Sequence, residues 1–282
     1  MKRLVFRCFR FFLVRFVGRR RTEHLIVRTA QAVGSDLLCI AYRDMGILKY
    51  EDSHVSGESH LITDFLPEHV KSANPTFFDV GANTGEYSAE LRRQFPVASI
   101  YAFEPNVNAY EIMREALSPL GVRCFNLGLS SSSESRTIYT YEHEAASQHA
   151  STYKEVLTDL HGAARVTGME FKTTTADEFC DKNRIDFIDF MKIDTEGHEL
   201  EVLNGAKGMI AAGKIHLIQF EFNEMNIISR VFLRDFYELL KGYRIYRLDT
   251  DGLIPLFSYN STNEIFKFQN LLAVNERIEA ER

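Results

Sequence analysis

The chain has 282 residues, 45% of them hydrophobic, and its 33 basic and 39 acidic residues leave a net charge of −6. That length suffices for one sizeable α/β domain with extensions, and an acidic body is a poor partner for nucleic-acid phosphates, which argues against nucleic-acid binding. Cysteines at 8, 39, 124 and 180 fit neither a zinc site nor a redox pair and read as reduced thiols of a cytoplasmic protein.

Residues 1–21 hold Lys2, Arg3, Arg7, Arg10, Arg15, Arg19, Arg20 and Arg21 and no acid. At about 100° per residue, Val5, Phe6, Phe9, Phe12, Leu13 and Phe16 share one helical face, with arginines on the opposite half. The longest apolar run, Phe11 to Val14, falls far short of the roughly 20 residues of a membrane span. A signal peptide's continuous apolar region and cleavage site are also missing. The pattern matches a helix lying in the membrane interface, its arginines on anionic headgroups at the inner face of the cell membrane. A helix packed on its own domain is the alternative. Residues 22–74 read as a helical extension. In it, 24–50 looks like a helix followed by irregular or strand-like chain. VSGESHLITDFLPEHV then reads as a helix capped by Ser56, with Leu61, Ile62, Phe65 and Leu66 as its apolar stripe and Pro67 near its end.

From residue 75 to 282 short apolar runs alternate with helical patterns. Strands are expected at 76–80, 99–103, 122–127, 136–141, 186–193, 215–222, 243–248 and 265–274. Helices are expected at 86–94, 107–117, from about 198, and at 231–241. This alternation predicts an α/β fold with a mostly parallel central sheet and helices on both faces. No helix separates the last two strands, so they are expected to form an antiparallel edge hairpin. The stretch 142–169 is polar, lacks clear strand character and contains His143, His149 and His161. It reads either as an acceptor-binding insertion or as a surface loop. Tyr139, Tyr141 and Tyr153 beside it offer faces on which a sugar can stack.

Ligands of such sheets bind beyond the carboxyl ends of the strands. The first such end reads TFFDVGANTGEYSAEL, residues 76–91. A P-loop needs Lys and Ser or Thr after its second glycine, whereas Glu86 and Tyr87 follow Gly85. A dinucleotide fingerprint needs glycine where Asn83 stands, and Glu86 would repel a pyrophosphate. The turn therefore suits a ligand without phosphates, and Asp79 favours a cationic one. Glu104 ends the second strand at the spacing expected of an acid that accepts both ribose hydroxyls. A nucleoside with a positive, phosphate-free tail is S-adenosylmethionine.

The segments FFDVGANTGEYS, YAFEPNVNAY, NLGLS and FMKIDTEGHELEVLNGA, in this order, resemble the FkbM family of S-adenosylmethionine-dependent methyltransferases. The resemblance covers about 56–250, with KIDTEGHE its most distinctive block. It implies the Rossmann-like class I methyltransferase fold and O-methylation of hydroxyls on sugars or natural products. It also implies cofactor contacts at Asp79, Gly81, Asn83, Gly85, Tyr87 and Glu104, with Asn126 and Leu127 on the adenine side. The SGE at 56–58 is similar to a segment that often precedes the core in this family; it reads as a cap of the cofactor site or as a plain helix N-cap.

Methyl transfer to a hydroxyl needs the acceptor oxygen oriented and its proton removed. KIDTEGHE supplies Asp194, Glu196 and His198 at the end of a central strand, and FEFNE supplies Glu221 and Asn223 at the end of the next. Asp194 can orient the acceptor, contact the cofactor amine or cap a helix. Glu196 can act as a base, Glu221 faces the same cleft, and His198 has the intrinsic pKa of a base. These four can also hold a divalent cation, which the reading does not favour. The acceptor expected is a sugar or glycan, free or lipid-linked. Two other classes stay open: a nicotinamide-dependent oxidoreductase, against which Asn83 and KIDTEGHE weigh, and a membrane-recruited binding module without transfer activity.

Overall fold

The computed structural model describes residues 15, 17–141 and 150–280. Most of the basic segment 1–21, and His143 and His149, lie outside these residues. The chain divides into two compact units, Met1–Leu48 and Lys49–Arg282. In the first, helices Arg19–Ala32 and Leu37–Asp44 are bent from one another by 104°. The second helix stands where the sequence reads as irregular or strand-like chain. The Asp36 carboxylate starts it by accepting the N–H of Leu38 at 2.8 Å. Among the described residues no single helix is long and apolar enough to cross a membrane.

Residues 49–74, read from sequence as part of a helical extension, belong to the same compact unit as the sheet. Their helical run starts at Glu58, with Gly57 (φ +86°) before it, and ends at His69, so Pro67 lies inside its last turn. Ser56 sits one residue ahead of the cap position; its hydroxyl accepts the N–H of Glu58 at 3.4 Å and donates to Glu58 Oε2 at 3.1 Å.

The strands are β1 (Thr76–Val80), β2 (Ser99–Phe103), β3 (Arg123–Phe125), β4 (Gly128–Leu129), β5 (Ser135–Tyr141), β6 (Val166–Thr174), β7 (Ile188–Ile193), β8 (Ile215–Phe222), β9 (Tyr243–Asp249), β10 (Gly252–Pro255) and β11 (Gln269–Asn275). The main sheet runs in the order β10-β9-β11-β8-β7-β1-β2-β3. Strands β3, β2, β1, β7 and β8 are parallel. Helices cover both faces, giving the class I methyltransferase arrangement that the sequence predicts.

The core follows from strands that are apolar on both sides. On one face Phe78, Phe103, Met191 and Phe220 pack with Phe179 and Phe236 of the helices Ala176–Asn183 and Leu233–Leu239. On the other, Phe77, Ile100, Phe190 and Leu217 pack with Leu91 of helix Glu86–Gln94 and with Met113 and Leu117 of helix Val107–Leu117. Each such side chain contributes about 1.5–3 kcal/mol on burial.

Two expectations need correction. The last strand is not at the edge: β11 lies between β8 and β9, antiparallel to both, and the edge hairpin is β9–β10. Every residue of β11 is buried, which a central position requires and an edge does not. The stretch 142–169 is also not strandless to its end. Strand β6 starts at Val166 and pairs antiparallel with β5 along its whole length, and with β4 the two form a second sheet. Much of β6 is exposed or half-buried, so backbone pairing rather than apolar alternation defines it.

Candidate active site

After Val80 the chain turns through Gly81 (φ +83°), Asn83 (φ +47°) and Gly85 (φ +92°) into helix Glu86–Gln94. A Cβ on Gly81 would lie 1.7 Å from the carbonyl oxygen of Asp194, and one on Gly85 2.7 Å from Leu117 Cδ1. The chain's own packing therefore demands both glycines: the turn closes on the end of β7, and the helix start closes on its neighbouring helix. Ser88 Oγ donates to Asp79 Oδ2 at 2.6 Å and ties the helix back to β1. Asp79 Oδ1 is buried with no hydrogen-bond partner among the described residues. Burial pushes the Asp79 carboxyl up, against the attraction of Lys192.

Beyond the carboxyl ends of β1, β2, β7 and β8 lies a cleft of about 930 Å³. Of the residues implicated in cofactor binding, Gly81, Asn83, Tyr87, Glu104 and Leu127 line it. Asp79, Gly85 and Asn126 are not among the lining residues. Asn126 instead donates through Nδ2 to the carbonyls of Glu104 (2.9 Å) and Pro105 (3.0 Å), fixing the loop after β2. The Glu104 carboxylate is held by two backbone N–H groups, Asn83 to Oε2 at 2.8 Å and Asn106 to Oε1 at 2.7 Å. Burial pushes it up to about 7 against the pull of those bonds. Each oxygen keeps a lone pair, which suits two adjacent ribose hydroxyls. Asn83 Oδ1, on the same cleft wall, is buried without a donor among the described residues. An oriented diol acceptor beside an unmatched amide oxygen fits the nucleoside and amine of S-adenosylmethionine.

Beneath the cleft a charged row crosses the sheet, and its lysine lines the cleft. Asp79 of β1 pairs in register with Lys192 of β7, and Lys192 with Gln219 of β8. Lys192 is buried; its Nζ lies 2.9 Å from Asp194 Oδ2 and 4.8 Å from the centre of the Tyr87 ring. Burial disfavours its charge, but Asp194, Asp79 and Glu58 together outweigh that and raise its pKa. Tyr87 donates to Gln219 Oε1 at 2.6 Å, and Gln219 Nε2 donates to Glu58 Oε1 at 2.8 Å and Asn270 Oδ1 at 3.3 Å. Glu221, opposite Asn270 in the β8–β11 ladder, accepts from Asn223 Nδ2 at 3.2 Å. Burial, then Asp194 and Glu196, push its carboxyl well above the usual range.

The turn after β7 carries the other two acids and the histidine of KIDTEGHE. Glu196 (φ +55°) and Gly197 (φ +99°) are both left-handed. Glu199, at the start of helix Glu199–Asn204, holds this turn: its Oε1 accepts from Thr195 N (3.0 Å), Thr195 Oγ1 (3.1 Å) and Gly197 N (3.1 Å). His198 lines the cleft beside Asp194, Glu196 and Glu221, but its ring is committed elsewhere. Ser130 Oγ lies 3.0 Å and Arg136 Nη1 3.4 Å from Nε2, and Thr152 Oγ1 3.5 Å from Nδ1. Arginine only donates, so Nε2 is the accepting nitrogen. Burial and the Arg136 charge lower its pKa to about 4, and a neutral ring holding β4 and β5 in place is the result. Among the described residues no group of three or more His, Cys, Asp or Glu side chains is arranged to hold a metal ion.

Sequence reasoning reached Glu58 only through the SGE segment at 56–58 and passed over Lys192, Gln219 and Glu199. One signal was available: a lone lysine inside the apolar strand DFIDFMKI needs buried carboxylates around it.

The description "Methyltransferase FkbM domain" matches residues 79–245. Methyltransferase sdnD of Sordaria araneosa is 31% identical, over 47% of this chain and 61% of its own length. Hexuronic acid methyltransferase AglP of Haloferax volcanii is 28% identical, over 53% of this chain and 56% of its own. 2-O-methyltransferase NoeI of Sinorhizobium fredii is 22% identical, over 62% and 75%. The chain thus spans less than two thirds of the first two relatives. Among solved structures, the methyltransferase FkbM of Methylobacillus flagellatus aligns with a TM-score of 0.44 and 13% identity, over 83% of this chain and 58% of that one.

Proposed function

The chain belongs to the FkbM family of S-adenosylmethionine-dependent methyltransferases, and from that premise we propose that it methylates a hydroxyl of a sugar in a glycan, lipid-linked glycan or glycosylated natural product. The observation that carries the reading is Glu104, gripped by two backbone N–H groups at the edge of a cleft whose floor is the Asp194–Lys192–Glu58 cluster. The name of AglP supports a sugar as acceptor, and that of NoeI supports transfer to an oxygen.

When bound, the cofactor supplies a methyl group on a positive sulfur, open to in-line attack by an oxygen. Glu104 accepts the ribose hydroxyls, and Asn83 Oδ1 accepts one further donor. Asp194, with one oxygen fixed by Lys192, orients the acceptor hydroxyl through the other. Glu221 takes the hydroxyl proton on a carboxylate oxygen; a raised pKa makes it a stronger base than an exposed glutamate. Glu196 lies on the same wall and adds negative charge. His198 keeps the wall in shape and moves no proton.

Calorimetric titration with S-adenosylmethionine, S-adenosylhomocysteine and NAD tests the cofactor half. Micromolar binding of both adenosyl ligands is expected, lost by at least tenfold in Glu104→Ala. Binding of NAD alone would move the protein to the oxidoreductases. No binding by a folded protein would favour a module without transfer activity.

The basic residues between 1 and 21 support a peripheral contact with an anionic membrane surface. Deleting residues 1–21 is then expected to move the protein from the membrane to the supernatant fraction; full retention on the membrane sinks this part.

A further inference from the structure

We infer that the acceptor taken by this cleft carries no anionic group: it is a neutral or aminated polyhydroxyl compound, held by a carboxylate-rich wall and an aromatic edge. This rests on the methyl-transfer reading above, narrows it, and sets the acceptor apart from the hexuronic acid in the name of AglP. Asp52, Glu86, Glu90, Glu196 and Glu224 line the cleft and are exposed or half-buried. Against them stands Arg93, the one exposed lysine or arginine among the described lining residues. The other lining cation, Lys192, is buried, and its ammonium is taken by Asp194 at 2.9 Å. Among the described residues no second lysine or arginine is therefore presented to a substrate carboxylate or phosphate, and the remaining exposed basic side chain of the lining is His161. The cofactor brings one net positive charge, which offsets one carboxylate and leaves the wall negative.

An acceptor with its own carboxylate or phosphate would give up hydration and meet like charge on several sides. Hydroxyl and ammonium groups instead donate to carboxylate oxygens, and such charge-assisted bonds are the stronger kind. Glu224 adds a specific opening: its Oε2 is buried with no donor among the described residues. The aromatic edge is Tyr50, 65% exposed, meeting Phe268 edge to face with ring centres 6.1 Å apart; both line the cleft. A large ring left open in a polar cleft offers an apolar face with a polar tip, a surface on which the C–H face of a sugar ring can lie.

The test uses the full chain loaded with S-adenosylhomocysteine and three tetrasaccharide probes in calorimetry at low salt: a cello-oligosaccharide (neutral), a chitosan oligosaccharide (aminated) and a galacturonan oligosaccharide (anionic). The neutral or the aminated probe is expected to bind at least tenfold more tightly than the galacturonan. In the double variant Asp52→Lys, Glu90→Lys, with folding checked by circular dichroism, that ratio is expected to shrink or invert. Tyr50→Ala is expected to weaken the favoured probe about tenfold. Galacturonan binding equal to or tighter than both other probes overturns the inference, as does a ratio unchanged in the double variant or failure of both favoured probes to bind. The loading step separates this result from the broader one. If S-adenosylhomocysteine binds and the charge preference is reversed, only the acceptor inference falls. If S-adenosylhomocysteine does not bind the folded chain, the methyltransferase reading falls with it.

Discussion

Gly81→Ala is expected to destabilise the protein by about 2–5 kcal/mol, whereas Gly121→Ala costs about 1–2 kcal/mol. Both glycines have a left-handed backbone, at φ +83° and +71°, and an added side chain strains either by about 1–2 kcal/mol. Their surroundings differ. A Cβ at 121 meets nothing within 4 Å, while one at 81 lies 1.7 Å from the Asp194 carbonyl oxygen and 2.8 Å from its carbon. That neighbour is backbone at the end of a central strand and cannot rotate away. The turn must lift off β7, at an overpacking cost of about 1–3 kcal/mol. The same shift moves Asn83, so its N–H leaves Glu104 and adenosyl-ligand affinity falls as well. Urea denaturation of both variants measures the contrast. Equal losses would mean that the backbone conformation alone, and not the closure of the turn on β7, demands glycine there.

Lys192→Met should be the most damaging loss of a charge in the cleft. Methionine preserves the length and the packing on Tyr87 but removes the charge that Asp194, Asp79 and Glu58 share. Breaking a buried pair strands the remaining charges, at a cost of about 3–5 kcal/mol for a fully buried case. Asp194 is about a third exposed, so about 3 kcal/mol is the expected loss. At roughly 2–4 °C per kcal/mol for a domain of this size, melting should fall by about 6–12 °C. The pH dependence has a definite sign. Lys192 keeps its proton to a higher pH in the folded chain than the ordinary lysine value of 10.5. Its contribution is therefore complete below that value and is lost as pH rises through the folded pKa. The gap between wild type and variant should be constant from pH 6 to 9 and narrow above 10.5. A melting temperature unchanged at pH 7 would show that the carboxylates simply take up protons or water in place of the ammonium.

The parts of this architecture legible in the sequence are those written in apolar runs. β1, β2 and β8 lie where TFFDV, SIYAF and IHLIQFEF put them, because both faces of each strand are buried. β6 escaped notice because VTGMEFKTT is largely exposed, and its register comes from β5, some thirty residues away in the chain. The acids of the site were legible because they follow strand ends. Their neighbours decide their roles, and these were not. His198 looks like a base by residue type, yet Ser130, Arg136 and Thr152 reach it from distant segments and leave it neutral. Glu199 went unnoticed because its partners, three donors of the preceding turn, come together only in the fold. The glycines of the first turn are expected as cofactor contacts; Gly81 lines the cleft, and the close packing of the chain against both glycines was not legible.

The placement of β11 has a consequence for how this protein comes into being. Residues 269–275 slot between β8 and β9, strands that leave the ribosome well before them. Until they arrive, β8 and β9 each expose an unpaired edge, the kind of surface that invites pairing with another chain. Because Asn270 sits opposite Glu221 and bonds Gln219, this side of the cleft is set only when β11 is in place. The adenosyl side, built from β1, β2 and the turn after them, can form earlier. The wall that carries Glu221 is thus complete only once the last strand has paired between β8 and β9.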